Sequence, residues 1–171
     1  MLYISRCFNI IYQHKGANME LRWATPDDAE LLTRLRLDMR RERETVLPPA
    51  DMTAFENCTF EYFKSAISNG SYIGIIASVN GNTAATGGIV LHIHPPSYSV
   101  PNGKTACLLN MYTLPDFRKQ GIAGKIVAAL VEKAQSCGCC KVFLNASEMG
   151  KRVYQNFGFT DVTNEMVFDL K

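Results

Sequence analysis

The sequence predicts one α/β domain whose sheet has mixed topology. The chain has 171 residues, of which 47% are hydrophobic and 20% charged, a composition typical of a globular protein with one core. From Met19 onward, segments with the 3.6-residue period of amphipathic helices alternate with apolar segments typical of strands. Asn80-Gly81-Asn82 separates two such strands and is a strong hairpin signal, because Asn and Gly tolerate positive φ. This alternation is typical of α/β architecture.

The helices are predicted from their start and stop signals. Thr25 before Pro26 is typical of an N-cap followed by the first helical residue, and Thr53 with Glu56 is typical of a capping box. We predict helices from residue 25 into the charged segment 40–44, from 53 to 69, from 122 to 137 and from 148 to 157.

The strands are predicted as apolar runs bounded by turn residues. The segment 95–103 is rich in Pro, Ser and Asn and is predicted to be a loop. We predict strands at residues 20–24, 72–79, 83–94, 105–114, 141–146, 159–162 and 166–170.

The net charge of +2 comes entirely from residues 1–18, which contain Arg6 and Lys15 and no acid. From Met19 onward the positive and negative residues balance, which argues against a nucleic-acid partner. The first residues are too short an apolar run to span a membrane and lack a clear signal-peptide pattern. Codons for Lys15-Gly16-Ala17 can resemble a bacterial ribosome-binding site. We therefore interpret residues 1–18 as an N-terminal extension, not native to the protein, and residues 19–171 as the domain.

The six cysteines do not suggest a disulfide framework. Three of them crowd into residues 137–140, whereas Cys7, Cys58 and Cys107 are scattered. We expect reduced thiols in a cytoplasmic protein. Neither the C-x-x-C spacing of residues 137–140 nor His92-x-His94 has a partner set at zinc-site spacing, so no metal is predicted.

The segment 118–124, Arg-Lys-Gln-Gly-Ile-Ala-Gly, lies where a predicted strand leads into a helix. The first amides of a helix have no internal acceptor, and the helix dipole favours a phosphate there. Gly121 and Gly124 would let a diphosphate approach the backbone, and Arg118 and Lys119 add positive charge. The loop alone equally allows glycines that merely open a helix, and it is neither a P-loop nor a dinucleotide fingerprint.

Residues 109–124 and 144–159 resemble the GCN5-related N-acetyltransferase (GNAT) superfamily. Arg118, Gly121 and Ala123 match its R/Q-x-x-G-x-G/A signature at a helix start. Tyr154 and the following residues match its Tyr-x-x-Gly-Phe marker with one extra spacer residue. The resemblance extends over residues 19–171 in element order. It implies a mostly antiparallel central sheet flanked by about four helices, and use of acetyl-CoA without a metal.

The resemblance also implies roles for particular residues. The backbone of the strand end would pair with the pantetheine arm, and the loop amides would surround the pyrophosphate. Tyr154 would stand beside the thioester sulfur and protonate or hydrogen-bond the departing thiolate. Asn145 orients the cofactor or caps a strand. The implied cofactor-binding residues are Met111, Tyr112, Thr113, Arg118, Lys119, Gln120, Gly121, Ile122, Ala123, Gly124, Asn145 and Ser147.

The general base is not selected by the sequence. Many GNAT relatives carry a Glu on the strand that here is residues 141–145, where this chain has no acid. Asn110 has a plausible position, but an amide is not a base. Water-mediated proton removal by Glu44, Glu148 or a His remains open.

We expect a small-molecule amine acceptor rather than a protein N-terminus, and no membrane or nucleic-acid partner. A homodimer is allowed by the resemblance. Two other functions stay open: a CoA-binding sensor that has lost turnover, and a general nucleotide-phosphate binder. The acceptor site is expected between the first two helices, near residues 40–53, and at the loop 95–103. The charged segment 40–44 is otherwise expected to be a solvated helix end.

Overall fold

The fold is a six-stranded sheet with helices on both faces. A computed structural model describes residues 10–14, 17–43, 51–162, 166–168 and 170. The strands lie in the sheet in chain order, and all neighbours are antiparallel except the last pair. The elements are β1 (Ile10–His14), β2 (Ala17–Trp23), α1 (Ala29–Arg43), α2 (Thr53–Ser68), β3 (Tyr72–Val79), β4 (Asn82–Ile93), β5 (Lys104–Thr113), α3 (Ile122–Ser136), β6 (Lys141–Phe143) and α4 (Glu148–Phe157). The mixed, mostly antiparallel α/β fold is confirmed.

Each face of the sheet buries a separate apolar cluster. On one face, α3 packs Ile126 and Leu130 against Ala85 and Leu108 of the sheet. On the other face, α1 and α2 bury their apolar side chains with Tyr72 and Ile76 of β3. The carboxyl end of β5 therefore lies between the layer of α3 and the layer of α1 and α2.

A helical turn follows Thr25 as predicted and leads into α1, whereas α2 begins at the predicted residue 53 but without the predicted cap. The Thr25 amide donates to Asp28 Oδ2 at 2.8 Å, and Arg22 holds the same carboxylate at 2.6 and 2.7 Å. The predicted Thr53–Glu56 capping box is wrong, because Thr53 is already helical and Met52 precedes the helix. The Thr53 amide instead donates to the Asp51 carboxylate at 2.9 Å.

The last two predicted strands are wrong for the part of the segment that the structure describes. Residues 159–162, 166–168 and 170 form no strand. Gly158 ends α4 with a φ of 106°, and Phe159 turns back onto the Tyr154 ring instead of extending along the sheet. The described part of this segment pairs with no strand, and its apolar residues are exposed: Val162, Met166, Val167, Phe168 and Leu170. The strand β6 is also shorter than the predicted 141–146.

Part of the predicted N-terminal extension joins the sheet. The strand β1 pairs with β2, with Ile10 opposite Leu21 and His14 opposite Ala17. The domain boundary at Met19 remains a prediction. Within the described residues, no helix is both long and apolar enough to cross a membrane, and no three potential ligand side chains gather as a metal site would require.

Candidate active site

A β-bulge in β5 shapes the centre of the candidate site. Gly88 of β4 faces Leu109 and Thr86 faces Tyr112, so β5 has one extra residue between these pairs. Asn110 has a φ of 55°, in the left-handed region. As a result Leu109 and Asn110, although adjacent, both face α1 and α2: Leu109 packs in the apolar cluster there, and Asn110 contacts Tyr72.

Beyond the middle of β5, its outer edge has no strand neighbour among the described residues. The strand β6 pairs only with Thr105, Ala106 and Cys107. Tyr112 and Thr113 pair with β4 on the opposite edge. Residues Met111, Tyr112 and Thr113, predicted to bind pantetheine, therefore lie along an edge where an extended ligand can add as another strand.

The loop that enters α3 has the geometry of an anion site. Lys119 and Gly121 both have left-handed φ values, of 60° and 77°, and Gly121 is the N-cap. Lys125 is the first residue whose amide reaches back, to Gly121 O at 3.3 Å, which leaves the amides of residues 122–124 without an intrahelical acceptor. A Cβ added at Gly121 or Gly124 would meet nothing within 4 Å, so the space before the loop is open.

Arg118 does not point its charge into that open space. Its Nε donates to Thr113 O at 2.9 Å, and its terminal nitrogen forms an ion pair with Glu42 at 2.5 Å. The guanidinium also lies over the Tyr112 ring, 5.8 Å from the centroid. The exposed cation of the loop is therefore Lys119, while Arg118 holds the loop against the end of β5. Gln120 stabilises the loop internally by donating to Asp116 O at 3.2 Å.

Tyr154 combines a buried ring with a reachable hydroxyl. The residue is 7% exposed, and its ring lies edge-on to Phe159 with centroids 5.9 Å apart. Its Oη forms no hydrogen bond with the described residues. This oxygen is not fully buried, so solvent or a ligand can reach it. Burial raises the pKa of Tyr154, against an opposing effect of the Arg43 charge, so the phenol is protonated at neutral pH. These are the properties required of an acid that meets a leaving group.

Ser147 and Asn145 lie at the start of α4, the helix that contains Tyr154. Ser147 is the N-cap of α4, and its Oγ accepts from the Gly150 amide at 3.2 Å. Asn145 is exposed in the segment between β6 and α4 and lines, with Tyr154, a cavity of about 840 Å³. Residues 118–124 do not line this cavity, which extends instead toward the C-terminal segment.

Sequence reasoning missed the end of α1. Glu42 accepts from Tyr112 Oη at 2.6 Å as well as from Arg118, and Arg43 donates to Ser147 Oγ at 3.1 Å. The last turn of α1 thus contacts both sides of the cleft between β5 and α4. The end of α1 is exposed, as expected, but its side chains also form hydrogen bonds with β5, the loop before α3 and the N-cap of α4. Because these partners lie 70 to 104 residues apart, no local pattern could have indicated them.

The structure narrows the candidates for a general base. His94 bonds Thr105 at 3.1 Å and His92 faces the same residue across the sheet, five residues along β5 from the bulge. That separation is roughly 17 Å, so neither imidazole reaches the site. Hydrogen bonds from Tyr112 and then Arg118 lower the pKa of Glu42, which weakens it as a base. Glu148 is exposed in the first turn of α4, and Glu44 lies outside the described residues.

Comparisons with known proteins agree with this geometry. A sequence model of the acetyltransferase (GNAT) family matches residues 32–159. A predicted acetyltransferase from Clostridium acetobutylicum, solved with acetyl-CoA, superposes with a TM-score of 0.81 at 30% identity, over 88% of this chain and 96% of that one. A GCN5-related N-acetyltransferase from Ralstonia eutropha JMP134 gives 0.79 at 28% identity, over 89% and 98%.

A thialysine N-epsilon-acetyltransferase from Bos taurus is 34% identical over 70 residues. That match covers 39% of this chain and 41% of the cattle protein, so the chain spans less than half the length of this relative. The family match, in contrast, includes α1 from Leu32 onward, the bulge, the loop before α3 and Tyr154. The chain belongs to the acetyltransferase (GNAT) family.

Proposed function

We propose that this protein transfers an acetyl group from acetyl-CoA to a primary amine of a small molecule, by direct attack in a ternary complex. The observation that carries the proposal is the edge of β5 at residues 111–113, which has no described strand neighbour and leads into the loop with open amides at the start of α3. The Clostridium relative was solved with acetyl-CoA, which supports the same cosubstrate here. The cattle relative acts on the ε-nitrogen of thialysine, as its name states, which supports an amine acceptor.

The residues present fit acetyl-CoA. The open space before Gly121 and Gly124 accommodates a pyrophosphate, the amides of residues 122–124 would donate to it, and Lys119 adds an exposed positive charge. The edge of β5 from Met111 to Thr113 would hold the extended pantetheine arm. Acetyl-CoA supplies an activated thioester whose carbonyl carbon is attacked by the amine.

Two groups of the chain would assist the transfer. A backbone amide at the bulge would donate to the negative charge that develops on the thioester oxygen. The protonated phenol of Tyr154 would give its proton, or a hydrogen bond, to the sulfur as the carbon–sulfur bond breaks. The proton of the amine would pass through water to Glu148, which lines the same cavity as Tyr154, because Glu42 already accepts from Tyr112 and Arg118.

Two measurements test the proposal. Thermal unfolding with acetyl-CoA, CoA and ATP checks the cosubstrate, because a ligand at 100 times its Kd stabilises the folded state by about 2.7 kcal/mol. Release of free thiol from acetyl-CoA, measured over a panel of primary amines, then checks turnover. Equal stabilisation by ATP would favour a general nucleotide-phosphate binder. Binding of acetyl-CoA without thiol release for any amine would favour a sensor module.

A further inference from the structure

The last turn of α1 places an arginine across the cleft, close to Tyr154. Arg43 Nη2 donates to Ser147 Oγ at 3.1 Å, and Ser147 is the N-cap of α4, the helix that contains Tyr154. A Cβ added at Gly150 would lie 3.3 Å from Ser147 Oγ and 3.2 Å from Tyr154 Cε2. The hydroxyl that binds Arg43 and the edge of the Tyr154 ring therefore lie beside the same glycine.

The charge of Arg43 acts on the Tyr154 phenol. Burial raises the pKa of Tyr154, and the Arg43 charge acts against that rise, because a positive charge favours the phenolate over the neutral phenol. The part of α3 that lines the cavity with Tyr154 is uncharged, and the titratable groups of that lining are Cys139 and Cys140, Lys141 on β6, Glu148 and Lys151 on α4, and Asp161 after α4. Lys151 and Asp161 pair with each other at 3.0 Å. Among the described charged groups, Arg43 is the one that acts on the pKa of Tyr154.

The acidic neighbour of Arg43 in the chain, Glu42, is directed to the other side of the cleft. Glu42 accepts hydrogen bonds from Tyr112 and Arg118, and these two bonds lower its pKa more than the Arg43 charge does. The end of α1 therefore holds β5 and the loop before α3 with its carboxylate, and the start of α4 with its guanidinium.

We propose that Arg43 is a positioning residue for the acid, whose charge stabilises the phenolate that Tyr154 becomes when it donates its proton. As the bond between the acetyl carbon and the sulfur breaks, its electron pair goes to the sulfur, and the proton of Tyr154 Oη forms the S–H bond of CoA. The phenolate is stabilised by Arg43 until it regains a proton from water. This inference rests on the proposed acetyl transfer with Tyr154 as the acid.

Substitutions of Arg43 that remove or keep its charge test the inference. Arg43→Gln removes the charge at an exposed position and keeps a side chain that can donate to Ser147, whereas Arg43→Lys keeps the charge. We expect kcat for thiol release to fall about threefold to fivefold in Arg43→Gln, the effect of one exposed charge, and to stay within about twofold of wild type in Arg43→Lys. Arg34→Gln, at an exposed arginine of the same helix, is the matched control and should leave kcat unchanged. An unchanged kcat in Arg43→Gln, or an equal fall in Arg43→Lys, would overturn the inference.

The pH profile of kcat distinguishes an electrostatic role from a loss of packing at the start of α4. Because the Arg43 charge lowers the pKa of Tyr154, its removal raises that pKa and weakens the acid. The alkaline decline of kcat should therefore move to higher pH in Arg43→Gln, although kcat at neutral pH falls. In the Tyr154→Phe protein, Arg43→Gln should cause no further loss of kcat. A decline at the wild-type pH, or a full additional loss in the double variant, would refute an action of Arg43 through Tyr154.

Titration of Tyr154 by ¹³C NMR, with tyrosine labelled at the ζ carbon, separates this inference from the proposed function because it needs no turnover. The Tyr154 signal is the one that Tyr154→Phe removes. Its pKa should be higher in Arg43→Gln than in the wild-type protein or Arg34→Gln. Added salt should raise it in the wild-type protein by screening Arg43, which decides the case if Arg43→Gln does not fold. An unchanged pKa would refute the role of Arg43 whether or not the protein releases thiol. A raised pKa in a protein that releases thiol with no amine would support the effect of Arg43 on Tyr154 and refute acetyl transfer.

Discussion

Replacing Tyr154 by Phe removes one oxygen atom from the candidate site and leaves the rest of the side chain in place. The ring keeps its contact with Phe159, and it keeps its place against Gly150, where an added Cβ would lie 3.2 Å from the ring. Because no described residue bonds to Oη, the free energy of unfolding should change by less than about 0.5 kcal/mol. Affinity for acetyl-CoA should stay within threefold.

Turnover should respond very differently from stability. Proton donation by a positioned side chain contributes about 10²- to 10⁴-fold to a rate, so kcat for thiol release should fall by at least 100-fold, which is about 2.7 kcal/mol of barrier. Tyr98→Phe, at a fully exposed tyrosine, is the matched control for stability and for acetyl-CoA affinity and should leave both unchanged. A Tyr154→Phe protein that folds, binds acetyl-CoA and retains its kcat would refute the assignment of Tyr154 as the acid.

The pH profile supplies an independent readout. Burial raises the pKa of Tyr154 above its ordinary value of 10, so the acid form persists through neutral pH. The kcat of the wild-type protein should therefore decline only at a pH above that ordinary value. The residual activity of Tyr154→Phe should lack this decline. An identical alkaline decline in the variant would assign it to another group.

Three further predictions follow from contacts near the site. Gly124→Ala should leave stability unchanged or raise it by up to about 1 kcal/mol, since the added Cβ meets nothing, while acetyl-CoA affinity falls at least tenfold; unchanged affinity in titration would contradict the placement of the pyrophosphate. Gly88→Ala should lower the free energy of unfolding by about 1–3 kcal/mol, because its Cβ would lie 2.6 Å from Cε2 of the buried Tyr72; an unchanged urea midpoint would contradict this packing. Glu42→Gln should cost about 0.5–1 kcal/mol at pH 7. Since the pKa of Glu42 is lowered in the fold, that contribution is present above its ordinary value of 4.5 and is lost as pH falls through the lowered value, so urea unfolding of wild type and variant should converge at low pH.

Local sequence signals predicted the bounds of an element correctly where turn or cap residues lie at both of its ends. The bounds of β3 match the prediction because turn residues at Gly70 and Asn80-Gly81 enclose one apolar run. Those of α4 match because Ser147 caps the start and Gly158, with positive φ, ends the helix. The C-terminal segment shows the reverse case. Its short apolar runs resemble strands, but a strand also requires a neighbour, and pairing is not a local property.

The loop before α3 was predicted from residue types where a strand leads into a helix, and Tyr154 from the resemblance to the GNAT family. Their roles in cofactor binding and catalysis stay predictions. The partners of Arg118 could not be predicted, because Glu42 approaches it only when α1 packs across the end of β5. The bulge left one trace in the sequence: Asn110 is the polar residue of an otherwise apolar run, and Asn tolerates left-handed φ better than most residues.

The bulge changes which side chains of β5 share a face. In a regular strand, successive side chains point to opposite faces, so the neighbours Leu109 and Asn110 could not both face α1 and α2. The extra residue gives that face two consecutive side chains: Leu109 packs in the apolar cluster, and the Asn110 amide accepts a hydrogen bond from Arg36. The same insertion precedes Met111–Thr113, whose outer edge is unpaired. The one-residue shift in register therefore lies directly before the unpaired edge that we propose holds the pantetheine arm.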